Sequence, residues 1–167
     1  MAMLRSDHLL RVMPAIASET YPSCWCPVTQ DQIDAFAAAT RDDQWIHRTD
    51  AQQSGSPFGG PIAHGLLLLS LAITLARESG ALEDATWVLY GFDKLRFRAP
   101  VRNGARIRCL TTIKGQQEVA GRTLLQIRFV VEIEGHKIPA LVADCLLLNL
   151  NKKLDPRSQV RCGNSPQ

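Results

Sequence analysis

At 167 residues, 46% hydrophobic and 21% charged, the chain has the composition of one ordinary globular domain, long enough to bury about two-thirds of its unfolded surface without staples. These fractions exclude a disordered or fibrous polymer, and a net charge of only +3 gives no ground for a nucleic-acid partner. The five cysteines (Cys24, Cys26, Cys109, Cys145, Cys162) are odd in number and read as reduced thiols of a cytoplasmic protein rather than a disulfide framework.

The first thirteen residues carry Arg5 and Arg11 among scattered leucines, with neither a continuous apolar stretch nor a small-residue cleavage site, so no signal peptide is expected. Residues 1–24 are read as an N-terminal segment ahead of one domain over 25–150. Cys24-Trp25-Cys26 lacks the second ligand pair of a zinc site, and no metal is expected. Thr29-Gln30-Asp31-Gln32 has the form of a capping box and predicts a short amphipathic helix through Ile33, Phe36, Ala37 and Thr40. That helix runs out into Arg41-Asp42-Asp43, two carboxylates at the pole of the helix dipole that favours cations, a local conflict of the kind found at functional sites.

Residues 48–61 are polar and rich in Gly and Pro, which predicts a loop, and Gly59-Gly60 lacks the Gly-Lys-Ser/Thr continuation of a nucleotide-binding loop. A second helix is predicted from Pro61 or Ala63 to just before Gly80. Its apolar run is too short for a membrane span of ~20 residues and has almost no polar face, so a sheet is expected to cover it on most sides. From residue 86 the period changes to two, and strands are expected over 86–97, 106–113, 123–134 and 137–150, with turns at Asn103-Gly104, Lys114-Gly115, Ala120-Gly121 and Gly135. The polar tail 151–167 is expected to be poorly ordered. The order of elements predicts an α+β domain with one long helix against a curved antiparallel sheet.

The chemistry-bearing stretch is Asp42-Asp43-Gln44-Trp45-Ile46-His47, which holds a carboxylate, an amide and an imidazole within six positions. On a continuous helix Asp42 and His47 would point about 140° apart, so they converge only if the helix ends and the chain turns. Lys94, Arg96 and Arg98 alternate with Leu95 and Phe97, which places three basic groups on one face of a strand.

Residues 42–47 resemble the Asp-x-Asn-Pro-x-His hydratase motif of the MaoC-like dehydratase family, in the variant of the NodN-like (nodulation protein N-like) branch, whose middle reads Gln-Trp-Ile. The resemblance continues through Ser56-Pro57-Phe58-Gly59-Gly60-Pro61-Ile62-Ala63-His64-Gly65 to Ser70, through Tyr90-Gly91-Phe92-Asp93-Lys94-Leu95-Arg96-Phe97, Pro100-Val101 and Gly104, and through Val131-Glu132-Ile133-Glu134-Gly135 to Pro139-Ala140. Trp25 and Thr29-Gln30-Asp31-Gln32-Ile33 also resemble that branch, so the likeness spans about residues 25–148.

The resemblance implies a hot-dog fold, a homodimer or assembly of dimers, and an R-specific enoyl-CoA hydratase that needs no cofactor beyond the coenzyme A of its substrate. It implies that Asp42 and His47 hold one water: one group takes its proton as it attacks the β-carbon, and the other protonates the α-carbon, with base and acid unassigned between them. Gly65 matches the glycine whose N–H receives the thioester oxyanion, although packing between helix and sheet is the other reading. Ser70 matches a serine that bonds the catalytic carboxylate in some members, with a bond back into its own helix turn as the alternative. Gln44 would steer the pair or the thioester, Trp45 and Phe58 would wall the acyl tunnel or belong to the plain core, and His64 is read as a core histidine with a satisfied ring. Lys94 and Arg96, with Arg98, could meet the phosphates of coenzyme A, or form a solvated face. Arg41 stands where the family usually has Gly, a departure that is strained if the position needs positive φ. A hot-dog acyl-CoA thioesterase and a non-catalytic acyl-CoA-binding or assembly protein are the competing functions.

Overall fold

The computed structural model describes residues 19–51, 55–82 and 85–150. The expectation for the tail and the thiol of Cys162 lie outside these residues. Helix α1 (Gln30–Thr40) begins as the capping box requires: the Thr29 hydroxyl accepts the Gln32 N–H at 3.3 Å and the Gln32 side chain accepts the Thr29 N–H at 3.0 Å. It ends at Thr40, and Arg41 turns the chain with φ 60°.

Helix α2 (Gly65–Glu78) starts later than the sequence suggested. The segment before it pairs with another strand-like segment instead: Ile62 bridges Arg102, and the Ala63 N–H donates to the Val101 carbonyl at 2.8 Å. The helix stops before Gly80, whose φ of 78° suits its place just past the C-cap. Leu67, Leu68, Leu69, Ala72, Leu75 and Ala76 are buried, but Leu66, Ser70 and Thr74 form an exposed stripe at a spacing of four, with Leu66 58% exposed. The expected cover on most sides is therefore incomplete, because within one chain the sheet reaches only one side of the helix.

Six antiparallel strands make the sheet: β1 (Thr20–Pro22), β2 (Cys26–Pro27), β3 (Trp87–Phe97), β4 (Arg106–Val119), β5 (Arg122–Ile133) and β6 (Leu141–Asn149). Their order is β1-β4-β5-β6-β3, with β2 also paired along β4, so β3 is an edge strand. This is the expected hot-dog arrangement of one long helix and an antiparallel sheet.

Three details depart from the sequence reading. Residues 1–24 do not all precede the domain, since Thr20 and Tyr21 pair with Thr112 and Thr111 of the sheet. Lys114-Gly115 is not a turn: β4 runs through it, and the extra residue is absorbed as a register shift between Ile113 and Gly115. Strand β6 begins at Leu141 rather than at residue 137, because Gly135 with φ 75° continues into a longer connection. The turn at Ala120-Gly121 is as expected, with φ 51° and 73°, the pair of positive values that a two-residue hairpin needs.

The inward side chains alternate as a half-buried sheet dictates: Ile107 and Cys109 of β4, Ile127, Phe129 and Val131 of β5, and Leu141, Ala143 and Cys145 of β6 share one buried cluster with Leu68, Ala72 and Leu75 of α2. Cys24, Cys26, Cys109 and Cys145 are free thiols, and burial pushes Cys109 up to about 11 and Cys145 up to about 12.

Candidate active site

The turn after α1 resolves the geometric conflict between Asp42 and His47. Arg41 sends the chain out of the helix in the left-handed conformation, and a short 3-10 turn (Trp45–His47) brings the chain back. Two elements hold that turn. Ile62 clasps it with its N–H to the Ile46 carbonyl at 3.0 Å, and Gln30 in the first turn of α1 donates its amide to the His47 carbonyl at 2.9 Å. Gln44 donates to Asp42 Oδ1 at 3.1 Å.

His47 is 7% exposed, and its Nδ1 lies 2.7 Å from the Ile62 carbonyl oxygen. A carbonyl only accepts, so Nδ1 carries the proton and Nε2 of the neutral ring keeps a lone pair. His64 is not an ordinary satisfied core residue. Its Nε2 lies 2.9 Å from the backbone carbonyl of Asp42, its Nδ1 is buried without a partner, and its ring stacks on His47 at 3.6 Å between centroids and 23° between planes.

Donor atoms of Asp42, His47 and His64 all lie within 4.8 Å of one another. Two hydrogen bonds of ~2.8 Å through one oxygen can bridge up to ~5.6 Å, so the separation of the Asp42 carboxylate and the His47 ring is within the reach of a single bridging water. The same three groups are the ones among the described residues that could hold a metal ion. One nitrogen of each ring, Nδ1 of His47 and Nε2 of His64, is already engaged by a backbone carbonyl, which leaves one ring nitrogen on each side chain.

A cleft of ≈ 430 Å³ opens beside His47, walled by Phe58, Ile62, Gly65, Leu68 and Val101 and reaching Phe97 and Arg98 at strand β3 and just beyond it. Asp42 does not form part of its wall in the single chain. Gly65 heads α2, where the first-turn N–H groups lack acceptors within the helix, and His64 at the N-cap makes no side-chain cap. That end is therefore polarised to receive negative charge. A Cβ on Gly65 would meet the Phe97 ring at 3.0 Å, so the absent side chain serves close packing as well.

Phe58 lines the cleft, but Trp45 is 45% exposed and is not among the lining residues. Ser70 is exposed and donates to the Leu66 carbonyl one turn back at 3.0 Å, so its hydroxyl hydrogen is engaged within its own helix rather than with Asp42.

Lys94, Arg96 and Arg98 do share one face. With Arg128, Ile138, Val142 and Asp144 they line a hollow of ≈ 540 Å³, and Phe97 and Arg98 belong to both this hollow and the cleft at His47. Asp144 is the counter-charge inside it: Arg128 grips its carboxylate with two bonds of 2.7 and 2.8 Å. That grip holds the Asp144 pKa below the ordinary carboxylate value, with Lys94 and Lys114 acting in the same direction. Asp144 and Arg128 are not singled out for this site by the sequence. Asp144 reads there as an ordinary outward residue of a strand, and only its register opposite Arg128 of β5 reveals the pairing.

Comparison with known proteins adds an independent line. The chain matches the family described as MaoC like domain over residues 12–134. It is 35% identical over 127 residues to 3-hydroxyacyl-thioester dehydratase Z of Mycobacterium tuberculosis (strain ATCC 25618 / H37Rv), which covers 75% of this chain and 84% of that protein. It is 37% identical over 145 residues to nodulation protein N of Rhizobium leguminosarum bv. viciae, covering 84% and 89% respectively. Among solved structures, the unliganded R-hydratase PhaJ1 of Pseudomonas aeruginosa shares the fold with a TM-score of 0.66 at 18% identity, over 91% of this chain and 90% of that one.

Proposed function

The chain belongs to the MaoC-like dehydratase family, and on that premise we propose that it adds water to a trans-2-enoyl-CoA to give an (R)-3-hydroxyacyl-CoA, and removes it in reverse, without a cofactor. The observation that carries this reading is the approach of the Asp42 carboxylate and the His47 ring to within 4.8 Å, beside a cleft that has Gly65 in its wall. A water held by the pair delivers its oxygen to the β-carbon, and a proton returns from the pair to the α-carbon, so both hydrogens of the water are accounted for. The two groups act together on that one water. Charge moves onto the thioester oxygen as the C–O bond forms, and the free N–H groups at the head of α2 stand ready for it.

The hollow around Lys94, Arg96 and Arg98 supports coenzyme A as the carrier, because it supplies several cations beside the cleft for the phosphates. Strand β3 supports a homodimer: this eleven-residue strand lies at the sheet edge and carries exposed Val88, Leu89, Tyr90 and Phe97, and pairing with a second copy would close that edge. A reducing, cytoplasmic setting fits the four free thiols.

The test is product analysis with a short and a long trans-2-enoyl-CoA, following loss of the conjugated thioester and resolving the product by chirality. The expected product is the (R)-3-hydroxyacyl thioester with no free thiol. Release of free coenzyme A would assign a thioesterase, and binding without conversion would assign a carrier or assembly role.

A further inference from the structure

We propose that His64 is a positioning residue that holds Asp42 and His47 in one geometry without itself exchanging a proton. The inference rests on the hydration reading above, and goes beyond it by assigning work to a side chain outside the reacting pair. Three contacts carry it. The Nε2–H of His64 donates to the Asp42 carbonyl at 2.9 Å, one ring face lies on His47 at 3.6 Å, and Phe36 packs against the ring at 5.0 Å. One side chain thus touches the backbone of one member of the pair and the ring of the other.

The surroundings explain why this tether matters. Asp42 follows Arg41, which has left helical geometry, and Asp42 itself belongs to no regular element. Its carboxylate is steered by the exposed amide of Gln44, while its backbone is tied by the His64 bond. His64 is 3% exposed, with the rings of Phe36 and His47 packed against it. Since Nε2 must donate to a carbonyl, the neutral ring has its lone pair on Nδ1, and that atom is buried without a partner. A ring fixed in this tautomer, outside the wall of the cleft, fits a brace rather than an acid or base.

Three substitutions separate bracing from packing. Gln reaches the Nε2 position with an amide N–H, Asn reaches only the Nδ1 position, and Phe keeps the stack and the volume without any donor. We expect His64→Asn and His64→Phe to lower kcat about 10- to 100-fold with KM within about twofold, since small misplacement of reacting groups costs up to ~10²-fold. His64→Gln should recover kcat to within about fivefold of the parent, and its pH–rate profile should keep the same limbs. Correlated 15N–1H NMR of the histidine rings in the unsubstituted protein should show a proton on His64 Nε2 and on His47 Nδ1, and His64→Asn should shift the His47 ring signals. That arm needs no turnover, so a chain inactive toward both thioesters would sink the hydration reading while the brace is still decided by the ring signals. The proposal is overturned if folded His64→Phe works within twofold of the parent, if Gln is no better than Phe, if a pH limb disappears with His64, or if His64 carries its proton on Nδ1.

Discussion

The two ends of α1 obey different rules. At its start every local preference is met: Thr29 and Gln32 exchange capping bonds and Asp31 lies in the first turn, where the dipole favours an anion. At its end the preferences are broken together, with no basic residue in the last turn, a non-glycine at φ 60° and two carboxylates beyond it. A left-handed non-glycine residue costs ~1–2 kcal/mol, and the stretch that tolerates this cost is the one that turns Asp42 toward His47. The first end specifies the helix, and the second delivers a carboxylate.

Substitutions at the two ends should therefore read out in different quantities. The largest effect is expected from Asp42→Asn and His47→Ala, each reducing hydration by at least ~10² with the thermal transition little changed, since positioned acid–base groups contribute ~10²–10⁴. Steady-state kinetics on folded variants checks this, and activity retained within a few-fold in both would break the functional reading of the second end. Next is Gly65→Ala, which keeps the N–H but places a methyl where Phe97 now packs at 3.0 Å. A folded variant with turnover reduced ~10²-fold is expected. A destabilised but fully active variant would assign Gly65 to packing alone.

Smaller effects belong to the ends themselves. Thr29→Ala should cost ~1 kcal/mol in urea unfolding and leave turnover per folded molecule unchanged, as loss of an N-cap does. Arg41→Gly should stabilise the fold by up to ~1 kcal/mol by relieving the left-handed strain, with turnover within a few-fold. If Arg41→Gly destabilised the protein instead, the Arg41 side chain would be supporting the turn through contacts of its own.

Much of this was legible in the sequence because it is local. The capping box, the change of period at residue 86, the Ala120-Gly121 hairpin and the shared face of Lys94, Arg96 and Arg98 each follow from spacing within one element. Convergence of Asp42 and His47 followed only conditionally, because the motif says that the helix must break but not what clasps the turn. That clasp comes from Gln30 and Ile62, which lie 17 and 15 residues from His47. His64 was underread for the same reason. A histidine before a helix glycine carries no sign that its ring reaches the Asp42 carbonyl across 22 residues. Gly115 shows the opposite error, a turn signal absorbed as a bulge because the strand on either side had a partner to pair with.

The central claim is that Asp42 and His47 act on one water as a unit, and a double-mutant cycle in hydration of a single trans-2-enoyl-CoA tests it most directly. Groups that serve one step together are not additive. The double variant Asp42→Asn/His47→Ala should be no more than a few-fold slower than the slower single variant. Losses that multiply, each substitution exerting its full effect in the other's background, would mean that the two residues act in separate steps, and the shared-water account would be wrong.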